Sequence, residues 1–373
     1  MSEKRGQELY NERLERIKKA IALEKPDRTP INLDGPGFIK YGDPSAVLAD
    51  YIRKPEWASD MVLKAREMMP EIDTAPMGGM NYGSMGAMWY SRTRLPGREL
   101  QEDALWQIEE VGPMTEADYD TILQKGWKSL SDELLFNRLG YTPEQLAPDT
   151  EAMQAMAKRT MDMGLVAVIG AMLPLLPFEL LSSARSVSKF YKDLYRMPDK
   201  VKAAMDVVMD EIMENIKNTI RTARPLTVFI GGQRATGEFL NLKMFEKFYW
   251  PYNKRAAETI IEEGSITWFH CDSNWDANIP YFTEFPKGKC VFDPDGLTNI
   301  FKLKEILGDR MCITGDVHPS LLAIGTPDEV YKYARRITEE IGPKGFIMDS
   351  GCSVPPNAPL ENIKAIIAAA TGK

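Results

Sequence analysis

The chain has 373 residues, 44% apolar and 27% charged, an ordinary composition for a soluble globular protein and enough length for one large α/β barrel or two medium domains. Its formal net charge of −8 argues against a nucleic-acid or anionic-membrane surface. No apolar run approaches the roughly twenty residues of a membrane span, the start lacks the apolar core of a secretory signal, and four irregularly spaced cysteines form no disulfide framework, so a reducing cytoplasm is expected.

In chain order, a helical pattern over 12–23 precedes a strand-like run over 29–33, which breaks at Asp34-Gly35-Pro36-Gly37. A helix over 56–69 and a weak strand over 73–77 follow. The next segment, Met77 to Tyr90, is too rich in glycine for a stable helix and too apolar for a solvated loop. Its methionines are either core filler or the wall of a pocket for a flat apolar ligand. A helix over 151–163 leads to a strand over 165–171, and the apolar stretch 164–181, with two prolines and Glu179, reads as strand plus loop. Then come a helix over 199–223, a strand over 227–231, a helix over 242–263 and strands over 265–270 and 289–292. A helix over 300–307, a strand over 311–315, a helix over 328–341, a strand over 345–349 and a helix over 360–370 complete the chain. Thr326-Pro327-Asp328-Glu329 supplies an N-cap, a proline at the first helical position and early acids.

Alternating strands and helices predict a parallel sheet. Eight strands suit a closed (β/α)8 TIM barrel with an N-terminal helical extension. The whole chain, 1–373, reads as a single domain, with an insertion or cap over about 34–164. An open doubly wound sheet is the alternative, but its G-x-G-x-x-G turn is missing after the first strand, and no P-loop appears.

In a barrel the C-terminal strand ends meet above one pocket. Those ends carry Asp34, then Gly232-Gln233-Arg234, His270 and Asp272, Asp293 and Asp295, Asp316, and Asp349 with Cys352. The set is acidic, and it fits a metal or proton-transfer site better than a polyanion site. His270 and Asp272 stand two apart, on one face if the strand continues, with Cys271 turned away into packing. Two readings stay open: a metal ion shared by His270, Asp272 and Cys352, or a histidine paired with Asp272 and no metal. Arg234 either grips a substrate carboxylate or pairs with a strand-end acid. Cys290 and Cys312 read as buried small hydrophobes. Asp316-Val317-His318 begins like the D-x-H-x-x-G signature that ligates a corrinoid cobalt. The glycine is absent, so a barrel-top loop residue is expected, and any corrinoid belongs to another protein.

Residues 15–31, 302–319, 325–330 and Gly345 to Pro355 resemble segments of the uroporphyrinogen decarboxylase-like superfamily, at both ends and through most of the C-terminal half. The resemblance implies a (β/α)8 barrel that is either a porphyrinogen decarboxylase or a corrinoid-dependent methyltransferase. The decarboxylases' arginine-bearing M-R-Q-A-G-R-type run has no counterpart here. The methyltransferases carry H-x-C and a later cysteine as zinc ligands; here the pattern is His270-x-Asp272 with Cys352. The run His270-Cys-Asp-Ser-Asn-Trp275, with Gly232 to Glu238, resembles the O-demethylase methyltransferases.

That branch implies methyl transfer from a methoxylated aromatic to the Co(I) corrinoid of a partner protein, releasing a phenol. It implies zinc on His270, Asp272 and Cys352, with His270 and Asp272 catalytic. Met80, Tyr82, Met85 and Trp89 would wall the ring, while Asp34, Gln233, Arg234 and Glu238 would orient its substituents. Alternatives are transfer to or from a thiol or amine, a porphyrinogen decarboxylase, and a catalytically silent binding barrel. The reading allows a homodimer.

Overall fold

The computed structural model describes residues 3–76, 81–173 and 175–373. The strands in chain order are β1 (Ile31–Asn32), β2 (Arg92–Arg94), β3 (Gln107–Glu109), β4 (Ile169–Leu173), β5 (Thr227–Gly232), β6 (Ile266–Cys271), β7 (Cys290–Pro294), β8 (Cys312–Val317) and β9 (Phe346–Ser350). Seven of them form one parallel sheet in the order β1-β9-β8-β7-β6-β5-β4. Its two edges meet on residues 73–75. Asp73 N donates to Ile31 O (3.0 Å), Val166 N donates to Asp73 O (3.0 Å), and Ala75 N donates to Val166 O (2.9 Å). The sheet thereby curls into the expected barrel.

Asp73 anchors that closure. Its buried carboxylate takes Arg16 at 2.6 Å and Arg28 at 2.8 Å, with Arg13 at 3.8 Å, and Ile31 N donates to it at 2.9 Å. A buried charge is tolerated when it is paired and hydrogen-bonded in this way.

Side chains two apart on a strand share a face. The inward columns begin apolar: Val166, Val168, Trp268, Val291, Cys312 and Ile347 pack with Ile17, Ala20 and Ile21 of helix Glu3–Ile21. That helix seals the N-terminal end of the barrel. Two residues further along, the same columns turn polar, at His270, Asp293, Thr314 and Asp349. Outward side chains, including Cys271 and Cys290, pack under the outer helices in a second, larger core, and Cys312 faces the inner one.

Three expectations are adjusted. The helix expected over 242–263 is two helices, Leu242–Phe248 and Trp250–Glu262, with Pro251 in the first turn of the second, where a proline costs no hydrogen bond. The stretch read as strand plus loop over 164–181 holds β4 and helix Pro177–Arg185, all nine of whose residues are buried. A helix buried all round shows no amphipathic period. The insertion at 34–164 is also not one piece: residues 73–75 within it join the barrel, while β2 and β3 pair as an antiparallel ribbon. No helix among the described residues is long and apolar enough to cross a membrane.

Candidate active site

Parallel register places His270 opposite Asp293, Asp316 opposite Asp349, and Asn32 opposite Asp349. The polar ends of five strands therefore converge. Ligand atoms of His270, Asp272 and Cys352 all lie within 4.8 Å of one another. His270 Nε2 is 3.2 Å from Asp272 Oδ1, and its ring stacks on Phe229 with centroids 5.6 Å apart.

Asp293 fixes the other side of the imidazole. Its Oδ2 lies 2.8 Å from His270 Nδ1 and accepts Trp268 Nε1 at 2.8 Å, while Oδ1 accepts Thr314 Oγ1 at 2.5 Å. A carboxylate on Nδ1 selects the tautomer whose Nε2 lone pair faces the pocket, the usual outer-shell support of a metal-binding histidine. Burial alone would lower the imidazole pKa. The Asp293 charge and hydrogen bonds to Asp272, Asp293 and Cys352 instead hold it well above its ordinary value. An ion bound here takes the place of the Nε2 proton.

Cys352 is exposed on a loop with little freedom. Asp34 O accepts Val354 N at 2.8 Å. A Cβ on Gly35 would stand 2.4 Å from Val354 N, and one on Gly351 would stand 2.4 Å from Asp295 O. Glycines at those points let the loop press between the β1 and β7 loops. Asp295 in turn accepts the backbone N–H groups of Ser273 (2.7 Å) and Leu297 (2.9 Å).

The surrounding acids repel one another. Burial raises the Asp349 carboxyl well above its ordinary value, Asp293 adds to the rise, and Asn32 Nδ2 donates to it at 2.5 Å. Burial likewise raises Asp295 and brings Asp316 to about 7. Arg66 is a nearby cation. Its side chain is 0% exposed, pairs with Asp34 at 3.1 Å and lies over the Phe38 ring, so it is not displayed to the pocket.

The other expected residues divide. Tyr82 sits between Tyr51 and Trp106, with centroids at 5.2 and 4.2 Å, and Asp34 is a charged neighbour of both tyrosines. Tyr51 and Trp106 were not foreseen; they come from separate parts of the insertion with no shared motif. Met85 and Trp89 lie half-buried in a 3-10 turn, Met85–Trp89, and Met80 falls outside the described residues. Arg234 turns to the hydroxyls of Ser182 (3.3 Å) and Ser183 (3.0 Å). Glu238 is exposed on the β5 loop. His318 caps helix Pro319–Ile324 by accepting Ser320 N. A residue that the sequence reading passed over stands behind the β5 turn: Glu179, 1% exposed, whose Oε1 accepts both Gln233 N and Arg234 N at 2.8 Å.

Comparison with known proteins fits this geometry. A family model described as uroporphyrinogen decarboxylase (URO-D) matches residues 137–372. The uroporphyrinogen decarboxylase of Syntrophotalea carbinolica is 25% identical over 176 residues, 47% of this chain and 49% of that protein. The methylcobamide:CoM methyltransferase MtaA of Methanosarcina barkeri is 24% identical over 199 residues, 52% of this chain and 55% of that one. The chain thus spans about half the length of these curated relatives. A solved methyltransferase from Methanosarcina mazei shares the fold, with a TM-score of 0.70 at 17% identity over 95% of this chain and 96% of that one.

Proposed function

The chain belongs to the uroporphyrinogen decarboxylase family, and we propose that within it this protein is a corrinoid-dependent methyltransferase. It takes the methyl group of a methoxylated aromatic, passes it to the Co(I) corrinoid of a partner protein and releases a phenol. The observation that carries the reading is the mixed nitrogen, oxygen and sulfur donor set of His270, Asp272 and Cys352. That set fits zinc with one position open, and the carboxylate makes the site harder and better suited to an oxygen-bearing ligand than a thiolate would.

An aryl methyl ether resists cleavage because phenoxide leaves poorly. In the transfer, the methyl C–O bond breaks with its electron pair left on oxygen, which takes up a proton from solvent to leave as the phenol, and the methyl carbon bonds to cobalt. The electron pair of the new bond comes from Co(I). Zinc at the three donors would supply Lewis acidity to the departing oxygen. Asp293 keeps His270 Nε2 aimed at that point, and without an ion the imidazolium would offer its proton there. Tyr82 and Trp106 give the arene an apolar face. Helix Glu3–Ile21 closes the far end of the barrel, so the substrate and the corrinoid both approach from the strand C-termini.

The decarboxylase alternative meets an electrostatic mismatch. Its substrate is a polycarboxylate, whereas this pocket gathers Asp272, Asp293, Asp295 and Asp349 and keeps Arg66 buried. The test is to incubate the chain with a reduced corrinoid protein and a panel of methoxyphenols, with uroporphyrinogen in a parallel reaction. Methylation of the corrinoid without porphyrinogen decarboxylation is expected; decarboxylation without corrinoid methylation would overturn the reading.

A further inference from the structure

Asp272 lies just past the end of β6, where regular strand pairing no longer holds it. Its backbone is instead fastened from two sides: Asp272 N donates to Gly232 O at 2.9 Å, and Trp275 Nε1 donates to Asp272 O at 2.7 Å. The first is made to the turn that leaves β5, and the second lies against it. A Cβ on Gly232 would stand 2.5 Å from Tyr249 Oη and 2.9 Å from the Trp275 ring, so the turn and the tryptophan are in close contact.

That turn is gripped from behind. Glu179 Oε1 accepts the consecutive N–H groups of Gln233 and Arg234, both at 2.8 Å. Tyr191 donates its hydroxyl to Arg234 O, and the Arg234 guanidinium is bound to Ser182 and Ser183 on the same helix as Glu179. Glu179 Oε2 is buried and has no hydrogen-bond partner among the described residues. A side chain placed so deep carries a desolvation cost, which the two backbone bonds offset in part. Burial also raises the Glu179 carboxyl, against the lowering effect of the two backbone hydrogen bonds, and what the turn amides need from it is an acceptor oxygen.

We infer that Glu179 is a positioning residue for Asp272: it fixes the turn at Gly232 to Arg234, and the Gly232 carbonyl then sets the Asp272 backbone beside His270. The inference rests on the proposed function only in taking Asp272 as a working residue.

The test compares wild type, Glu179→Gln and Glu179→Ala by backbone hydrogen exchange and by Zn2+ affinity against a chromophoric chelator. In Glu179→Ala the amides of Gln233, Arg234 and Asp272 should exchange about tenfold faster, while Val291 and Ile313 in the barrel strands do not change. Zn2+ affinity should fall about tenfold or more, the range seen when support behind a ligand is removed. Glu179→Gln keeps the acceptor oxygen and should stay within about threefold of wild type on both readouts. An Asp272 amide as protected in Glu179→Ala as in wild type would overturn the relay, and so would a Glu179→Gln as damaged as Glu179→Ala. If Glu179→Ala does not fold, Glu179→Asp, which keeps the carboxyl but not the reach, takes its place with the same expected loss. A wild type that binds no Zn2+ would contradict the metal reading alone, since hydrogen exchange still decides the relay.

Discussion

Asp293 determines what His270 can do. With one oxygen on Nδ1 and on Trp268, and the other on Thr314, it fixes both the ring's orientation and its tautomer. Asp293→Asn keeps the shape but removes the charge that supports the imidazole. Zn2+ affinity should drop about tenfold to a hundredfold, with little change in fold by circular dichroism; an unchanged affinity would remove Asp293 from the site. Cys352→Ala should empty the proposed zinc site on elemental analysis, and zinc content equal to wild type would exclude the thiol as a ligand. Asp316 permits a pH prediction away from the donor set. It accepts the Tyr333 hydroxyl at 2.6 Å, and burial moves its carboxyl from 3.8 to about 7. A carboxyl raised on folding binds its proton more tightly in the folded state. The stability from that preference is full below the unfolded value and is lost as pH rises through about 7. Between about pH 5 and pH 8, Tm of the wild type should therefore fall further than Tm of Asp316→Asn, and parallel curves would contradict the assignment. At this scale, the convergence of His270, Asp272 and Cys352 was legible, since each stands where an apolar run breaks. Glu179 was not, because a residue inside a helix buried on every side leaves no periodic trace. Asp293 was visible as a strand-end acid, but its bond to Nδ1 depends on register, which sequence does not print.

Among the elements, residues 73–75 and the Cys352 loop bear most on the site. The first closes the barrel with three backbone hydrogen bonds and one carboxylate held by arginines. Asp73→Ala leaves Arg16 and Arg28 without their buried partner, and breaking such a pair costs about 3–5 kcal/mol. A Tm within a degree or so of wild type would show that the closure does not depend on it. The Cys352 loop depends on glycine. In Gly351→Ala the new Cβ meets Asp295 O at 2.4 Å, so the loop must move, and Zn2+ affinity should fall while the barrel stays folded. The weak pattern over 73–77 anticipated the first element. The second showed only as a Gly-Cys-Ser-Val-Pro run, since the residues that press on it, Asp295 and Gly35, are distant in sequence.

On the scale of the whole molecule, the eight strand runs found from alternating patterns all contribute to one ring, and their C-terminal ends bring the acids together as the barrel reading required. The insertion was the least legible region, because its short helices and the β2–β3 ribbon lack long periodic segments and its aromatic contacts among Tyr51, Tyr82 and Trp106 are tertiary. A barrel sealed at one end by helix Glu3–Ile21 and acidic at the other leaves one face, which the proposed function gives to both an arene and a corrinoid. The most direct measurement of the account follows the methyl carbon itself. The chain is given 2-methoxyphenol labelled with 13C in the methoxy group together with a reduced corrinoid protein, and the corrinoid is analysed by 13C NMR. A labelled methyl on cobalt and one equivalent of unlabelled catechol for each methyl transferred are expected. Label that stays in the ether, with a corrinoid protein shown to accept methyl from another donor, would contradict the proposed transfer.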